Sequence, residues 1–257
     1  GKNVTVTLLQ DAELFGVNIY PNLYNGDFGR KVYSAIDLTA HSRVTLDMAG
    51  YSIDVKNSVL WISADGATGE ETALVLTGEG SFHAPTGWTA IAIRQNGKLV
   101  TSDWNGRIEQ LLFDGGTAVL DNGTLGTIGV NVKELRVGSF LADGLVLQRS
   151  DGSYVKRSET LRGVNRYSGD FTIVPCGHTG TPADFTDENC PFCGAELAAL
   201  VIKTQPTTGK TEVTGCATLQ EAITKAQGGT VKLLKSAGDV TVSDKEFTLD
   251  LNGKNIN

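Results

Sequence analysis

Two short signatures occur twice in this chain, in the same order, and this repetition constrains the fold more than any other feature. Residues 5–12, TVTLLQDA, correspond to residues 230–237, TVKLLKSA. Residues 45–53, TLDMAGYSI, correspond in the same way to residues 248–256, TLDLNGKNI. Repetition of this kind is typical of proteins whose modules stack on one another. We expect one complete module followed by the opening of a second, as in a piece cut from a longer polypeptide.

Within the signatures, apolar and polar residues alternate with the period of a β-strand. The positions expected to face inward are Val44, Leu46 and Met48 in the first copy and Phe247, Leu249 and Leu251 in the second. Turn dipeptides recur at short intervals between the copies, and this spacing would also suit a sandwich or a barrel. The repeated order of elements favours an all-β parallel β-helix, a solenoid in which each rung buries its apolar face on the next.

A short capping helix is predicted just before the second copy. Thr218 and Glu221 have the spacing of a capping box, and Leu219, Ala222 and Ile223 share one helical face. The glycines that follow at 228 and 229 should end the helix. We expect the helix to cover the open end of the second module, where apolar surface would otherwise be exposed.

The interval between the two signatures is longer in the first copy by about 22 residues, which predicts a loop insertion near residues 13–34. Loops of this kind often carry binding surfaces. The insertion holds aromatic residues among turn-forming ones, and the candidates for contact with a host glycan or protein are Tyr20, Tyr24, Phe28 and Tyr33. The three tryptophans, by contrast, are expected to pack in or on the core; these are Trp61, Trp88 and Trp104.

One group of residues carries recognisable chemistry. Cys176 and His178 are followed by Cys190 and Cys193, which gives the order C-x-H and then C-x-x-C. Tetrahedral zinc binds four ligands of these types, and four protein ligands leave no position for a reactive water, so the zinc would be structural. A disulfide between Cys176 and Cys190 is the alternative. Cys216 is either a buried thiol or the fourth ligand in place of His178.

These motifs together resemble a known family. The strand signature TLDLNGKNI, the helix opening ATLQEAI at 217–223 and the cysteine module CGH to CPFCGA resemble repeat regions of large surface proteins from Gram-positive, often gut-dwelling, bacteria. Those regions are similar to the pectin-lyase-like right-handed β-helix and serve as stalks or adhesive parts. The resemblance implies right-handed winding, a secreted or cell-wall-attached location, and neighbouring modules of the same polypeptide as partners.

The chain is therefore predicted to have three parts. Residues 1–172 would form a β-helix module, residues 173–204 a zinc-knuckle linker, and residues 205–257 the start of a second module. The function expected for this arrangement is that of a non-catalytic stalk or adhesin at the cell surface. The alternative is a carbohydrate-active enzyme, a polysaccharide lyase or glycosidase, or its accessory domain.

Charge and hydropathy exclude other classes. The net charge of −7 disfavours nucleic acid as a partner, and no apolar run approaches the roughly 20 residues that a membrane span requires. Asp47 and Asp250 share a place in the repeated strand, where they would satisfy turn amides or, as the alternative, line a calcium ladder. Arg157 and Arg162 are interpreted as solvated surface residues.

Overall fold

A computed structural model of the chain describes residues 3–14, 33–38, 43–56, 58–63 and 71–256. These residues form mostly β-strands with one α-helix, which confirms the all-β prediction at this level. The chain separates into two compact units, Gly1–Val174 and Pro175–Asn257. Among the described residues, no helix has the length and apolar character needed to cross a bilayer.

The first unit is built from sixteen described strands and one short 3-10 turn, Val137–Ser139. The strands are β1 (Asn3–Thr7), β2 (Ala12–Glu13), β3 (Tyr33–Leu38), β4 (Arg43–Asp47), β5 (Ile53–Asp54), β6 (Ser58–Ile62), β7 (Thr72–His83), β8 (Ile91–Arg94), β9 (Gly97–Asp114), β10 (Thr117–Val119), β11 (Thr124–Val130), β12 (Glu134–Arg136), β13 (Leu145–Gln148), β14 (Tyr154–Val155), β15 (Thr160–Arg162) and β16 (Asn165–Pro175). All but β12 and β15 belong to one 14-stranded mixed sheet within the described part of the chain.

Most of this sheet consists of parallel strands in three stacks. The first stack holds β1, β4, the start of β7, the start of β9 and β10. The second holds β2, β5, the end of β7, the middle of β9 and the start of β11. The third holds β3, β6, β8 and the ends of β9 and β11. Successive strands along the chain therefore pass from one stack to the next.

The parallel register lines up apolar residues of the same phase, and these columns form the core. In the second stack, Ile53 pairs with Phe82, Phe82 with Ile108, and Ile108 with Leu125. All four are buried, and each contributes about 1.5–3 kcal/mol by leaving water. At the bend before this column, a Cβ at Gly106 would lie 1.7 Å from the carbonyl oxygen of Gly80. Only glycine permits the two strands to approach this closely.

The last part of the first unit departs from the purely parallel arrangement that the sequence predicts. β16 pairs antiparallel with β11, β14 with β13, and β15 with β12. The interpretation of Arg157 as a solvated residue is also wrong. Its side chain is only 17% exposed, and its guanidinium donates to the carbonyl oxygens of Ala142 (2.7 Å), Leu145 (3.1 Å) and Gly138 (3.0 Å). A planar five-donor group can satisfy several carbonyls of irregular backbone at once.

The second unit contains β17 (Thr179–Gly180), β18 (Ala199–Thr204), β19 (Thr211–Cys216), the helix α1 (Leu219–Lys225), β20 (Thr230–Leu233) and β21 (Thr248–Asp250). The strands form a five-stranded sheet in the order β17-β19-β18-β20-β21, in which only β20 and β21 are parallel. The predicted three-part division of the chain stays a prediction. The strands on either side of residue 204 nevertheless form one hairpin, β18 with β19.

The predicted helix is present with the predicted inner face. Leu219, Ala222 and Ile223 are buried in one apolar cluster with residues of β18 and β20. The Thr218 side chain accepts a hydrogen bond from the Glu221 backbone N–H at 3.1 Å, as a capping box requires. Glu221 reaches back to the backbone N–H of Ala217, one residue earlier than the usual partner. The helix therefore packs on one face of the sheet, against β18 and β20.

The two copies of the repeat have the same strand register. Thr5 is paired with Thr45 in β1 and β4, and Thr230 is paired with Thr248 in β20 and β21. The bridge between Ala12 and Ile53 recurs as a parallel bridge between Ala237 and Ile256. The sequence repeat is therefore a repeat of structure.

The turn inside the second signature is also the same in both copies. The Asp47 carboxylate accepts from the Ala49 backbone N–H at 3.0 Å, and the Asp250 carboxylate accepts from the Asn252 N–H at 2.9 Å. Ala49 and Asn252 both have positive φ, at 49° and 47°. The two aspartates therefore satisfy turn amides, which was the preferred of the two interpretations of these residues.

The copies differ in the interval between the signatures. In the first copy the interval contains β3, which pairs with β6, whereas residues 238–247 of the second copy contain no strand. The predicted loop insertion at 13–34 therefore overlaps the last residue of β2 and the first two residues of β3. Residues 15–32 lie outside the described residues.

Candidate metal centre

The first ligand pair lies where β16 ends and the chain turns toward β17. Cys176 follows Pro175 directly, and His178 adopts a left-handed conformation with φ of 51°. The carbonyl oxygen of His178 accepts a hydrogen bond from the N–H of Gly215 at 2.8 Å. A left-handed histidine is uncommon and costs conformational energy, so the surrounding contacts must hold it there. The sharp bend brings the side chains of positions 176 and 178 to the same side.

The second ligand pair lies on a tight loop closed by backbone hydrogen bonds. Cys190 N–H donates to the Ala195 carbonyl at 2.7 Å, and Gly194 N–H donates to the Cys190 carbonyl at 2.8 Å. Gly194 has φ of 80°, a conformation that glycine adopts without strain. This loop presents the sulfurs of Cys190 and Cys193 together, as the C-x-x-C-G pattern predicts.

The structure brings together the four side chains that the spacing indicated. The candidate ligand atoms of Cys176, His178, Cys190 and Cys193 all lie within 4.8 Å of one another. The Sγ atoms of Cys176 and Cys190 are 3.6 Å apart, and Cys193 Sγ is 3.5 Å from His178 Nδ1. Ligands on a tetrahedral zinc ion are separated by about 3.5–3.8 Å, given Zn–S and Zn–N bonds of about 2.3 and 2.0 Å. The group can therefore hold a metal ion, and its donor set fits a tetrahedral one.

Backbone amides support negative charge on the sulfurs. The N–H of His178 points at Cys176 Sγ (3.4 Å), and the N–H of Ala195 points at Cys193 Sγ (3.5 Å). The hydrogen bond between Cys176 and Cys190 lowers the pKa of Cys190 and raises the pKa of Cys176, because the two sulfurs share one proton. Burial raises the pKa of Cys193. A bound cation would replace the shared proton and stabilise all three thiolates.

The segment between the ligand pairs contributes more to packing than its polar sequence suggests. Phe185 is buried and lies edge-on to Phe192, with ring centroids 6.4 Å apart. Leu197 is buried as well, and Gly215 of β19 approaches both Leu197 and Phe185. The buried apolar side chains of this region are those of Phe185, Phe192 and Leu197. The candidate metal-binding loop, residues 176–196, thus rests on a small apolar base.

Cys216 does not belong to the ligand group. It is fully buried at the end of β19, in the apolar cluster that includes Ala199 and Leu219. Burial raises the pKa of its thiol to about 11. Of the two roles considered for Cys216, the structure shows the buried thiol, and His178 is the candidate nitrogen ligand in the group.

Ion pairs connect the metal-binding loop to the second copy of the repeat. Lys235 pairs with Glu196 and lies 4.0 Å from Glu188, and Lys254 lies 3.4 Å from Glu188. In the first copy, the positions equivalent to these lysines are Gln10 and Tyr51, which carry no charge. Of the two copies, the one that contacts this loop is therefore the one that has lysines at these positions. Sequence comparison of the two copies could have found this signal.

The other candidate residues are placed as follows. Tyr20, Tyr24 and Phe28 lie outside the described residues, and Tyr33 is the first residue of β3, where it pairs with Ser58. The glycan or protein contact assigned to them stays a prediction.

Trp104 is fully buried, Trp61 is largely buried with the Arg94 guanidinium 4.9 Å from its ring, and Trp88 is half-buried. The expected core or ledge packing of the tryptophans is thus observed.

Comparison with known proteins gives no relative for this chain. No protein-family model, curated protein or solved structure matches it.

Proposed function

We propose that this chain is a non-catalytic repeat module of a secreted or cell-wall-attached bacterial surface protein, acting as a stalk or adhesin. The observation that carries the proposal is the common register of the two copies, in which Thr5 faces Thr45 and Thr230 faces Thr248. A unit that recurs with the same pairing and the same turn can be added in series, and serial addition gives length to a stalk.

We further propose that the three parallel stacks of the first unit are the faces of a right-handed β-helix. Support comes from chain order, since β4, β5 and β6 lie in the first, second and third stacks, and the two halves of β7 with β8 follow the same sequence. Right-handed crossovers between parallel strands are strongly preferred. An experimental structure with two facing antiparallel sheets would contradict this winding.

Zinc is the metal proposed for the cysteine and histidine group. Cys176, Cys190 and Cys193 would supply thiolates, and His178 would supply an imidazole nitrogen, which together fill four tetrahedral positions. When bound, zinc supplies a cross-link and no reactive water. The protein residues around it hold the loop against the second copy through Lys235 and Lys254, so that the loop and this copy form one connected unit.

The zinc proposal is tested by elemental analysis of the purified chain. We expect about one zinc per chain, and a sulfur-rich four-coordinate site by X-ray absorption. Cys190→Ser and His178→Ala should each lose most of the metal, whereas Cys216→Ala, the matched control outside the group, should retain it. Metal-free protein with a Cys176–Cys190 disulfide, which has two hydrogens fewer by mass spectrometry, would overturn the proposal.

The non-catalytic role is tested on a panel of acidic and host-type polysaccharides and an array of host glycans and proteins. We expect no product from any polysaccharide. Measurable product would overturn the proposal in favour of the carbohydrate-active enzyme. Binding that disappears when residues 15–32 are replaced by a short linker would identify an adhesin whose contact lies in the insertion. A chain that binds nothing on the array and gives no product is the stalk.

A further inference from the structure

The three candidate thiolate ligands differ in their access to solvent. Cys176 is 9% exposed and Cys190 is 2% exposed, whereas Cys193 is only half-buried. All four cysteines of the chain lie among the described residues, and the fourth, Cys216, is fully buried. A reagent dissolved in water therefore meets the sulfur of Cys193 before that of any other cysteine.

The surroundings of Cys193 suit a thiolate. Its Sγ atom faces the N–H of Ala195 at 3.5 Å and lies 3.5 Å from Nδ1 of His178. A bound metal ion keeps its cysteine ligands deprotonated, so the exposed part of this sulfur belongs to a thiolate when the centre is loaded. An accessible thiolate is the form of cysteine that peroxides oxidise.

Cys190 is the second cysteine of the same loop and is placed to react with Cys193. The Gly194 N–H donates to the Cys190 carbonyl at 2.8 Å, and this turn brings positions 190 and 193 to one side, as in one turn of a helix. Residues three apart in such a turn fall within the Cα separation of about 4.4–6.8 Å that a disulfide requires. The sulfurs of Cys176 and Cys190 are also close, at 3.6 Å, but both are shielded from a dissolved oxidant.

We propose that the candidate metal centre is an oxidation site, at which hydrogen peroxide converts Cys193 and Cys190 to a disulfide. The Cys193 thiolate attacks one peroxide oxygen, the O–O bond breaks and hydroxide leaves, which gives a sulfenic acid at Cys193. The Cys190 thiolate then attacks this sulfur and displaces the second oxygen as hydroxide. The two sulfurs lose two electrons and the peroxide gains them, and two protons from solvent convert both hydroxides to water.

This reaction would release the metal. A disulfide between positions 190 and 193 leaves two of the four ligands, Cys176 and His178, and two ligands do not fill a tetrahedral zinc site. The loop then loses the cross-link that ties it to the end of β16. The inference rests on the proposed zinc, and it adds that this cross-link is opened by an oxidant and restored by a reductant.

The reaction is tested on the intact chain, purified under reductant, loaded with zinc and then freed of excess reductant and metal. Hydrogen peroxide should release about one zinc per chain to an indicator dye. Mass spectrometry should show the loss of two hydrogens, and peptide mapping should place the link between Cys190 and Cys193. Alkylation after unfolding should find Cys176 and Cys216 as free thiols. A phosphine reductant with added zinc should restore the metal.

Two substitutions that keep four ligands separate the roles of the sulfurs. Cys193→His removes the accessible sulfur and Cys176→His removes a buried one, and each leaves two cysteines and two histidines, a set that zinc also binds. We expect Cys193→His to release zinc in peroxide at least about tenfold more slowly than the parent chain, because its remaining sulfurs are shielded. Cys176→His should release zinc and form the same disulfide as the parent chain.

Other outcomes overturn the inference. Release from Cys193→His at the parent rate shows that the oxidant enters elsewhere, and a Cys176–Cys190 link or sulfinic acid alone in the parent chain contradicts the assigned reaction. If Cys193→His binds no zinc, the peptide maps of the parent chain and of Cys176→His give the same decision. A chain that holds zinc and keeps it in peroxide removes this inference and leaves the proposed function in place. A chain that binds no zinc under reductant removes the proposed metal as well.

Discussion

The structural role of Arg157 depends on carbonyl groups that are distant from it in sequence. We expect Arg157→Met to lower the free energy of unfolding of the first unit by about 2–3 kcal/mol, since several carbonyls lose a charged donor. Arg162→Met, whose parent side chain is 74% exposed, should change it by no more than about 0.5 kcal/mol. Urea denaturation of both variants measures the two values. Equal effects would show that the hydrogen bonds of Arg157 contribute nothing.

The four candidate metal ligands, in contrast, could be identified from the sequence. Cys176, His178, Cys190 and Cys193 are close along the chain, so local turns suffice to bring them together. Arg157 could not be identified, because Gly138, Ala142 and Leu145 become its partners only through the irregular path of the chain. Sequence spacing predicts a site when its parts are local, and it loses that power when the partners are set by tertiary packing.

The helix α1 carries an ion pair whose contribution to the stability of the fold depends on pH. The hydrogen bond to Lys225 lowers the pKa of Glu221 from its ordinary 4.5, so the carboxylate stabilises the fold above that value. This contribution is lost as the pH falls through the lower folded pKa. The pKa of Lys225 is raised from 10.5, mainly by Glu221, so its contribution is complete below 10.5 and is lost at higher pH.

We therefore expect Glu221→Gln to lower the free energy of unfolding by about 0.5 kcal/mol at neutral pH, as for an exposed pair four residues apart. The difference from the parent chain should shrink when the pH falls through the folded pKa of Glu221. Urea unfolding of the metal-replete chain at several pH values measures it. Glu246→Gln, which removes an exposed carboxylate from the same unit, is the control. A difference that stays constant from neutral to strongly acidic pH would contradict the prediction.

The strands show what alternation can and cannot predict. It correctly predicted that Leu46 and Met48 are buried, and it gave Leu249 and Leu251 the same inner phase. Phase is a property of one strand, whereas burial needs a second layer or a neighbouring strand. The exposure of Leu249 and Leu251 could therefore not be predicted from the strand that contains them.

The two units should respond differently to loss of the proposed zinc. We expect a chelator to increase amide hydrogen exchange in β17–β19 and in residues 176–196, because the cross-link that holds the loop is removed. Exchange in β7 and β9 should not change, since their protection comes from the stacked core of the first unit. Hydrogen exchange with mass spectrometry of the metal-replete and chelated chains measures this.

A matched control for this experiment is Cys216→Ala, which keeps all four ligands and should show the same response to chelator as the parent chain. Cys193→Ser should show the exchange of the chelated state before any chelator is added. Uniform loss of protection in both units would show that the metal stabilises the chain as a whole.

The repeat, the strand phase, the capping helix and the four clustered candidate ligands could be predicted from the sequence, because each depends on residues close in sequence or on direct comparison of two segments. Three features became visible only in the folded chain: the antiparallel pairing of β16 with β11, the carbonyl contacts of Arg157, and the exposure of Leu249 and Leu251 where Leu46 and Met48 are buried. Pairing between distant strands, and the burial that follows from it, depends on which strand edges are free once the chain has packed.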